Sequence, residues 1–209
     1  MTREDSRDQT TQRLLDAAQK LIAKKGLSAA SVEDIAEAAG YTRGAFYSNF
    51  SSKGDLFIEL LRRDHQKTTA ELDALRTDTL SLDQIQARAR AIYSQLYHDN
   101  ESFMNWTEAR MLAARDTKFR AKLNALVTEK RAQIAEFIEY FHQRAGAPPL
   151  VPPEAMAMGV MSLVEGVKLS MLSSPTDMTP EAAESVLTLF VDSIMKIARI
   201  EGEERTSEE

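Results

Sequence analysis

The sequence predicts an all-α protein of about nine helices, and three observations predict this fold class. Apolar residues recur at helical spacing along most of the 209 residues. All six prolines lie from position 148 onward, and none interrupts a helical pattern. The stretch SVEDIAEAAGYTRGAFYSNFSSK, residues 31–53, holds two short helical patterns separated by Gly40, which is typical of a helix-turn-helix.

The composition is that of an ordinary globular protein, with 43% hydrophobic and 28% charged residues. There is no cysteine, which excludes disulfides and thiolate metal sites. The first ten residues lack the apolar core of a secretory signal, and no uninterrupted apolar run approaches the 18 or so residues of a membrane span. We therefore expect a cytoplasmic protein with no membrane partner.

The first domain is predicted over residues 10–69, after a polar tail at 1–9 that we expect to be disordered. Its first helix runs from about Thr10 to Lys25 and ends at Gly26. The apolar residues of that helix lie on one face: Leu14, Leu15, Ala18, Leu21 and Ile22. The start of a fourth helix supplies a second apolar wall: Leu56, Phe57, Leu60 and Leu61. These walls let the helix-turn-helix, about residues 32–51, bury enough surface to fold.

Local signals define both short helices. Ser31 and Asp34 have the capping-box spacing for the first. Gly40 tolerates the left-handed conformation that helix C-termini favour. Thr42 is a good N-cap for the second helix, which runs roughly through Arg43 to Asn49.

The second helix of such a unit places its N-terminal side chains in the major groove of DNA. Arg43 can bind a guanine edge with two hydrogen bonds, and Thr42 can contact a thymine methyl or a phosphate. Gly44 removes bulk where the backbone must come close. Donors for phosphate oxygens follow on the chain: Tyr47, Ser48, Asn49 and Lys53.

The alternative is that these polar side chains are merely solvated on a small helical core. The charge distribution favours DNA binding over this alternative. Residues 1–67 carry 11 Lys and Arg against 10 Asp and Glu, net +1, whereas the remainder has 15 against 22, net −7. The window from Gly40 to Lys53 contains two cations and no acid.

The same residues resemble the signature of TetR-type transcriptional regulators over about residues 10–69. The matching positions are Gly26, Ser31, Ile35, Ala36, Ala39, Gly40, Thr42, Gly44, Phe46, Tyr47, Asn49, Phe50, Lys53 and Leu56. The resemblance implies DNA-backbone contacts at Ser31, Thr42, Tyr47, Asn49 and Lys53 and a base-reading role for Arg43. It also implies an all-helical homodimer whose C-terminal half dimerises and holds a small-molecule pocket.

Helical periodicity continues through the predicted C-terminal domain, residues 70–200, and the charged segment 201–209 is expected to be disordered. Ser81 and Gln84 cap one helix. A short helix is predicted over about 103–114, and a long one from about Phe119 to near Gly146. The last two run from about 154 to 173 and, with Thr179 as cap, from 180 to about 200.

Methionines and aromatic residues of this half are candidates for an effector pocket, because flexible thioethers suit varied apolar ligands. Two glutamates interrupt apolar stretches and are candidates to pair with a cationic ligand. The alternative is that the apolar residues are plain core, and that the glutamates are exposed or paired with Arg110 and Lys168. The candidates are Tyr93, Tyr97, Phe103, Met104, Glu108, Met111, Tyr140, Met161 and Glu165.

The last two helices are the candidates for dimerisation, because pairing two such hairpins across a two-fold axis gives a four-helix bundle. A two-fold protein is also what a palindromic operator with half-sites about 34 Å apart requires. The alternative is that the apolar stripes face their own core. The predicted interface residues are Met156, Gly159, Val160, Leu163, Val167, Met171, Leu187, Phe190, Ile194 and Ile197.

The sequence thus predicts a ligand-responsive regulator, most simply a repressor, whose partners are a double-stranded DNA operator, a small-molecule effector and a second copy of the chain. The alternative is a helical small-molecule-binding protein in which the helix-turn-helix is only structural. An enzyme is not expected, because the three histidines are isolated and no metalloprotease motif, nucleophile elbow or phosphate-binding glycine loop occurs. No catalytic residue, metal site or cofactor is predicted.

Overall fold

We describe the protein from a computed structural model. The backbone is described for residues 3–77, 79–149 and 151–208, and the side chains of these residues except at 3, 4, 93, 96, 97 and 195–208. The described residues form nine α-helices and no strand, which confirms the predicted fold class. The helices are α1 (Arg3–Ala29), α2 (Val32–Ala38), α3 (Arg43–Asn49), α4 (Lys53–Asp73), α5 (Leu82–His98), α6 (Asn100–Arg115), α7 (Thr117–Ala145), α8 (Pro153–Ser173) and α9 (Pro180–Glu208).

Both terminal helices are longer than the sequence pattern indicated. Helix α1 begins at Arg3, inside the segment expected to be disordered, and α9 continues to Glu208 rather than ending near residue 200. Both extensions are rich in charged and polar residues. Arg, Glu and Gln have good helix propensity, so a helix anchored elsewhere by its apolar face can continue through them without a core.

Side-chain caps begin several helices at the positions the sequence predicted. Ser31 and Asp34 form both halves of a capping box on α2. The Thr42 hydroxyl accepts from the Ala45 N–H at 3.3 Å. Ser81 and Gln84 form a second capping box before α5. The Gln84 N–H donates to the Ser81 hydroxyl at 3.3 Å, and the Ser81 N–H donates to the Gln84 side-chain oxygen at 2.9 Å. These contacts satisfy amide groups that have no partner inside the helix.

The chain divides into two compact units, of which the first comprises Met1–Gln66 and Asp99–Leu126. Its core includes residues of α1, α2, α3 and α4 that are at most 2% exposed: Leu14, Ile22, Ile35, Phe46, Leu56, Phe57, Leu60 and Leu61. Helix α6 adds Ala109, and the Phe119 ring of α7 stacks on Phe57 with centroids 5.9 Å apart. This unit therefore contains a segment that the predicted range 10–69 had left to the C-terminal domain.

The second unit comprises Lys67–His98 and Val127–Glu209, whereas the predicted range was 70–200. Its main core gathers apolar residues of α4, α5, α7, α8 and α9: Leu72, Ile85, Ala89, Ile134, Phe137, Phe141, Ala157 and Val191. A smaller cluster between α8 and α9 contains Val167, Ala183 and Leu187. Arg90 of α5 and Asp192 of α9 form an ion pair beside the main core.

One described helix, α8, is long and apolar enough to cross a membrane by length and composition alone, a criterion that core helices of soluble proteins also meet. The expectation of no membrane span rested on uninterrupted apolar runs. The apolar run of α8 is interrupted by the charged residues Glu165 and Lys168, although the helix itself is continuous. The Lys168 side chain is buried.

Candidate nucleic-acid interface

The turn between α2 and α3 fixes the direction in which α3 leaves. Gly40 has φ +77°, in the left-handed region, and its N–H donates to the Glu37 carbonyl at 2.9 Å. The Tyr41 N–H donates to the Ala36 carbonyl at 2.8 Å. A glycine at this position avoids the strain that a Cβ atom would introduce. The helix-turn-helix predicted from the sequence is therefore present.

One side of α3 holds it against the first unit. Phe46 is fully buried, and its ring lies 5.8 Å from that of Phe50 and 5.3 Å from that of Tyr47, in an edge-to-face arrangement with Tyr47. The Asn49 side chain accepts a hydrogen bond from the Thr11 hydroxyl of α1 at 3.1 Å. These contacts fix the rotation of α3 about its axis.

The opposite side of α3 faces solvent. Thr42, Arg43, Gly44, Tyr47 and Ser48 are all exposed. This is the surface on which the sequence placed the base-reading and phosphate-binding groups. Ser31, at the start of α2, is half-buried, and its hydroxyl serves the capping box.

Arg43 is held by two neighbours although it is exposed. Its Nη1 lies 2.7 Å from Oε1 of Glu33 on α2, and its guanidinium carbon lies 5.5 Å from the centroid of the Tyr47 ring. Sequence spacing does not indicate the contact between Arg43 and Glu33, because the two residues are ten positions apart on different helices. The cation is thus oriented before any ligand arrives.

Lys53 has a structural partner that the sequence did not indicate. Its ammonium group donates to the carbonyls of Leu27 at 2.5 Å and Ala30 at 2.7 Å, and it lies 3.5 Å from that of Ser28. These three carbonyls follow Gly26, where α1 is interrupted by a φ of +79°. All three ammonium hydrogens can be used in this way, so the structure connects the start of α4 to the end of α1.

A cleft of about 710 Å³ lies beside α3 and includes residues that the sequence analysis did not predict as sites. It is lined by Ser6, Arg7, Thr10, Tyr41, Ala45, Ser48 and Asn49. Arg7 lies in the segment 1–9 that was expected from the sequence to be disordered. Helical spacing of Arg7 and Thr10 was the signal that could have placed both on one face of α1.

Two carboxylates stabilise the scaffold of this surface. A hydrogen bond from the Lys25 ammonium to Asp34, at 2.7 Å, and the bonds from Ser31 lower the pKa of Asp34 strongly. The Lys122 ammonium, with help from the Ser52 hydroxyl, lowers the pKa of Asp55. Both carboxylates are ionised at neutral pH. Their ion pairs connect α1 to α2 and α4 to α7.

The predicted effector-pocket residues are divided between the two units. Phe103, Met104, Glu108 and Met111 lie on α6 in the first, and Tyr140, Met161 and Glu165 lie in the second. The side chains of Tyr93 and Tyr97 lie outside the described residues. Among these candidates, Glu108 accepts a hydrogen bond from the Leu27 N–H at 3.0 Å, and the Tyr140 hydroxyl donates to the Thr77 carbonyl at 2.9 Å.

The second unit has a cleft of about 330 Å³ between α5 and α9 that was not predicted. Its lining mixes charged, hydroxyl and apolar side chains: Arg90, Ala91, Ser94, Glu184, Leu187, Thr188 and Val191. The volume is at the lower end of the range typical of small-ligand sites.

Some of the predicted dimer-interface residues of α8 and α9 are buried in the core, and others are accessible at the surface. Val160, Val167 and Leu187 are buried in their own unit, as the alternative reading had it. Met156, Gly159, Leu163, Met171 and Ile194 are half-buried, Phe190 is exposed, and the Ile197 side chain lies outside the described residues. Other large apolar side chains of α8 and α9 are exposed: Met158, Leu169, Leu172, Val186 and Leu189.

Comparison with known proteins agrees with the helix-turn-helix geometry. Residues 14–60 match the family model described as bacterial regulatory proteins, tetR family. Residues 14–60 thus carry the DNA-binding domain typical of TetR-family regulators. The match begins within α1 and ends within α4, so it contains the helix-turn-helix that the structure describes.

Relatives of this chain are named as regulators. It is 31% identical over 98 residues to the HTH-type transcriptional activator FasR of Mycolicibacterium smegmatis, a match covering 46% of this chain and 45% of FasR. The chain thus matches less than half of that relative. It is 27% identical over 173 residues to the uncharacterized HTH-type transcriptional regulator YwcC of Bacillus subtilis, covering 77% of this chain and 75% of YwcC.

Solved structures share the fold along nearly the whole chain. A TetR-family transcriptional regulator from Rhodococcus superposes with a TM-score of 0.75 at 23% identity, covering 90% of this chain and 99% of that one. A transcriptional regulator from Saccharomonospora viridis in complex with choline gives 0.69 at 20% identity, covering 87% and 95%.

Proposed function

We propose that this TetR-family protein is a ligand-responsive transcriptional repressor that binds a palindromic operator as a homodimer in the cytoplasm. The observation that carries the proposal is the outward face of α3, where Thr42, Arg43, Gly44 and Tyr47 are exposed while Phe46 anchors the opposite side. A recognition helix needs this arrangement, with a fixed inner face and N-terminal side chains free to enter a major groove.

The proposed contacts follow from side-chain chemistry. Arg43 reads a guanine, and the hydroxyl and amide groups of Thr42, Tyr47, Ser48 and Asn49 bind phosphates at the groove edge. Ser31, at the start of α2, is proposed as a further contact with the DNA backbone. We assign Lys53 a positioning role instead, because its ammonium already donates to the carbonyls after Gly26.

Effector response is proposed for the second unit. The choline complex of a structural neighbour supports small-molecule binding by this fold, although it names no ligand for this chain. An effector acts by binding more tightly to the conformation whose recognition helices no longer match the operator spacing. Loss of operator binding on adding the effector is the expected signature.

The decisive experiment is fluorescence anisotropy with duplexes from the DNA flanking this protein's own gene and with scrambled duplexes of the same composition. Arg43→Ala is expected to weaken binding to the preferred duplex by roughly 5- to 150-fold, equivalent to about 1–3 kcal/mol, with far less effect on scrambled DNA. Arg115→Ala removes the same charge from the end of α6 and is the matched control.

Two outcomes would overturn the proposal. Arg43→Ala with unchanged preference for the selected duplex removes Arg43 from the interface. Wild-type protein with no preference at all, even at low salt, supports the alternative of a ligand-binding protein with a structural helix-turn-helix. Because the relative FasR is named an activator, the transcript of the adjacent gene must be measured too; repression predicts that it rises when the protein is deleted.

A further inference from the structure

We propose that Glu33 is a selectivity residue: its carboxylate keeps Arg43 available to a guanine edge and hinders the same guanidinium from binding phosphates at any sequence. The inference rests on the proposed function, because it requires Arg43 to meet DNA. It goes beyond that function by assigning a role to an acidic side chain on a surface that must approach a polyanion.

The pair is positioned by two different helices. Glu33 lies in the first turn of α2 and Arg43 at the start of α3, with 2.7 Å between Oε1 and Nη1. Both side chains are more than half exposed, at 56% and 64%. An ion pair this exposed contributes little to folding stability, so its effect is to be sought in orientation and charge.

The elements that carry both neighbours of Arg43 are held in place. The backbone of α2 around Glu33 is held by the Ser31–Asp34 capping box and by buried Ile35. The Tyr47 ring below the guanidinium packs edge-on against buried Phe46. Arg43 therefore loses little conformational freedom when it binds a base, which favours the specific complex.

The guanidinium has enough donors to keep both partners. Arginine carries five N–H groups in a planar fork, so two can bind the O6 and N7 atoms of guanine while another remains on Glu33. A phosphate oxygen competes differently, because it brings its negative charge close to the Glu33 carboxylate. Glu33 consequently lowers affinity for arbitrary DNA more than affinity for the preferred site.

The experiment compares wild type, Glu33→Gln, Arg43→Gln and the double variant on two probes. One is a duplex enriched by the wild-type protein from a random-sequence pool, and the other is its scrambled counterpart. Glu33→Gln is expected to raise affinity for scrambled DNA by roughly five- to tenfold near 0.1 M salt, with a salt slope steeper by about 0.9, as one added phosphate contact requires. Affinity for the enriched duplex should rise less. The selectivity ratio, which is the affinity for the enriched duplex divided by the affinity for the scrambled duplex, therefore falls.

The double variant tests whether Glu33 acts through Arg43. In the Arg43→Gln background, Glu33→Gln should leave the selectivity ratio unchanged within about twofold. Without Arg43, the Glu33 charge acts on DNA only from a distance, and it then changes the affinities for the two duplexes equally. Glu37→Gln removes the same charge from an exposed position on the same helix and is the matched control. Circular dichroism of each variant verifies that the helices remain folded.

An unchanged ratio in Glu33→Gln, or equal falls in Glu33→Gln and Glu37→Gln, overturns the inference while leaving DNA binding intact. If the wild-type protein enriches no sequence from the pool, it has no sequence-specific DNA binding. The proposed function and the inference are then both rejected. The two failures are therefore distinguishable.

Discussion

At the scale of single residues, Lys53 has the best-defined structural role. Helix α1 ends at Ala29, so backbone carbonyls of its last turn have no helical donors. The Lys53 ammonium supplies donors to those of Leu27 and Ala30, and a cation is favourable at a helix C-terminus. A side chain expected from the sequence to bind phosphate thus connects the start of α4 to the end of α1.

Replacing Lys53 with Met keeps most of the side-chain length and removes the donors. We expect the free energy of unfolding in urea to fall by about 2 kcal/mol, because hydrogen bonds to charged groups contribute roughly 1.5–3 kcal/mol. Lys24→Met, at an exposed position of α1, is the control and should change it by less than about 0.5 kcal/mol. Equal stability of Lys53→Met and wild type would return Lys53 to the list of phosphate contacts.

At the scale of helices, the parts predicted correctly depend on neighbours in sequence. Capping residues such as Ser31, Thr42 and Ser81 act on amides two or three positions away, so their role can be inferred from spacing. The contacts of Glu33 with Arg43 and of Lys53 with Leu27 join different helices. Spacing carries no information about such pairs, which is why the sequence did not predict them.

Helix α8 illustrates a second limit of periodicity. It is apolar on more than one side, so an apolar stripe does not reveal which face meets its own core. The structure buries Val160 and Val167 and exposes Leu169 and Leu172. The sequence identified the helix as a candidate for association, and the stripe predicted for that role includes Val160 and Val167, which the structure buries in their own unit.

The ion pairs that connect helices of the first unit predict acid sensitivity. Hydrogen bonds from Lys25 and Lys122 lower the pKa values of Asp34 and Asp55 in the folded state. A lowered folded pKa stabilises the protein above the unfolded value, about 3.9 for Asp, and that stabilisation is lost as pH falls below it. Urea midpoints should therefore be nearly constant from pH 7 to 5 and decrease between about pH 4.5 and 3.

The variants Asp34→Asn and Asp55→Asn identify the source of that decrease. Each should lower the midpoint at pH 7 and flatten the pH profile, because the asparagine cannot be protonated in this range. Asp8→Asn, at an exposed position of α1, is expected to leave the profile unchanged. An acid decrease of the same size in both aspartate variants would assign it to other groups.

At the scale of the whole molecule, the exposed apolar surface of α8 and α9 is what a single copy leaves uncovered. Its members include Met158, Leu169, Leu172, Val186, Leu189 and Phe190, and Leu189 is 70% exposed. Exposed apolar side chains that form a patch mark association sites in soluble proteins. A second copy related by a two-fold axis can cover it with the same surface, giving a four-helix bundle.

Leu189→Glu places a charge on that surface without disturbing the core, so we expect a folded monomer by analytical ultracentrifugation and unchanged helicity by circular dichroism. Operator binding should weaken by at least tenfold at low concentration, because the two half-sites are then bound independently and the gain from linking them is lost. Val151→Glu adds the same charge at a 49% exposed apolar position before α8, and should leave both dimer and affinity intact. A Leu189→Glu protein that remains dimeric would locate the two-fold contact elsewhere, and a monomer with full operator affinity would separate DNA recognition from dimerisation altogether.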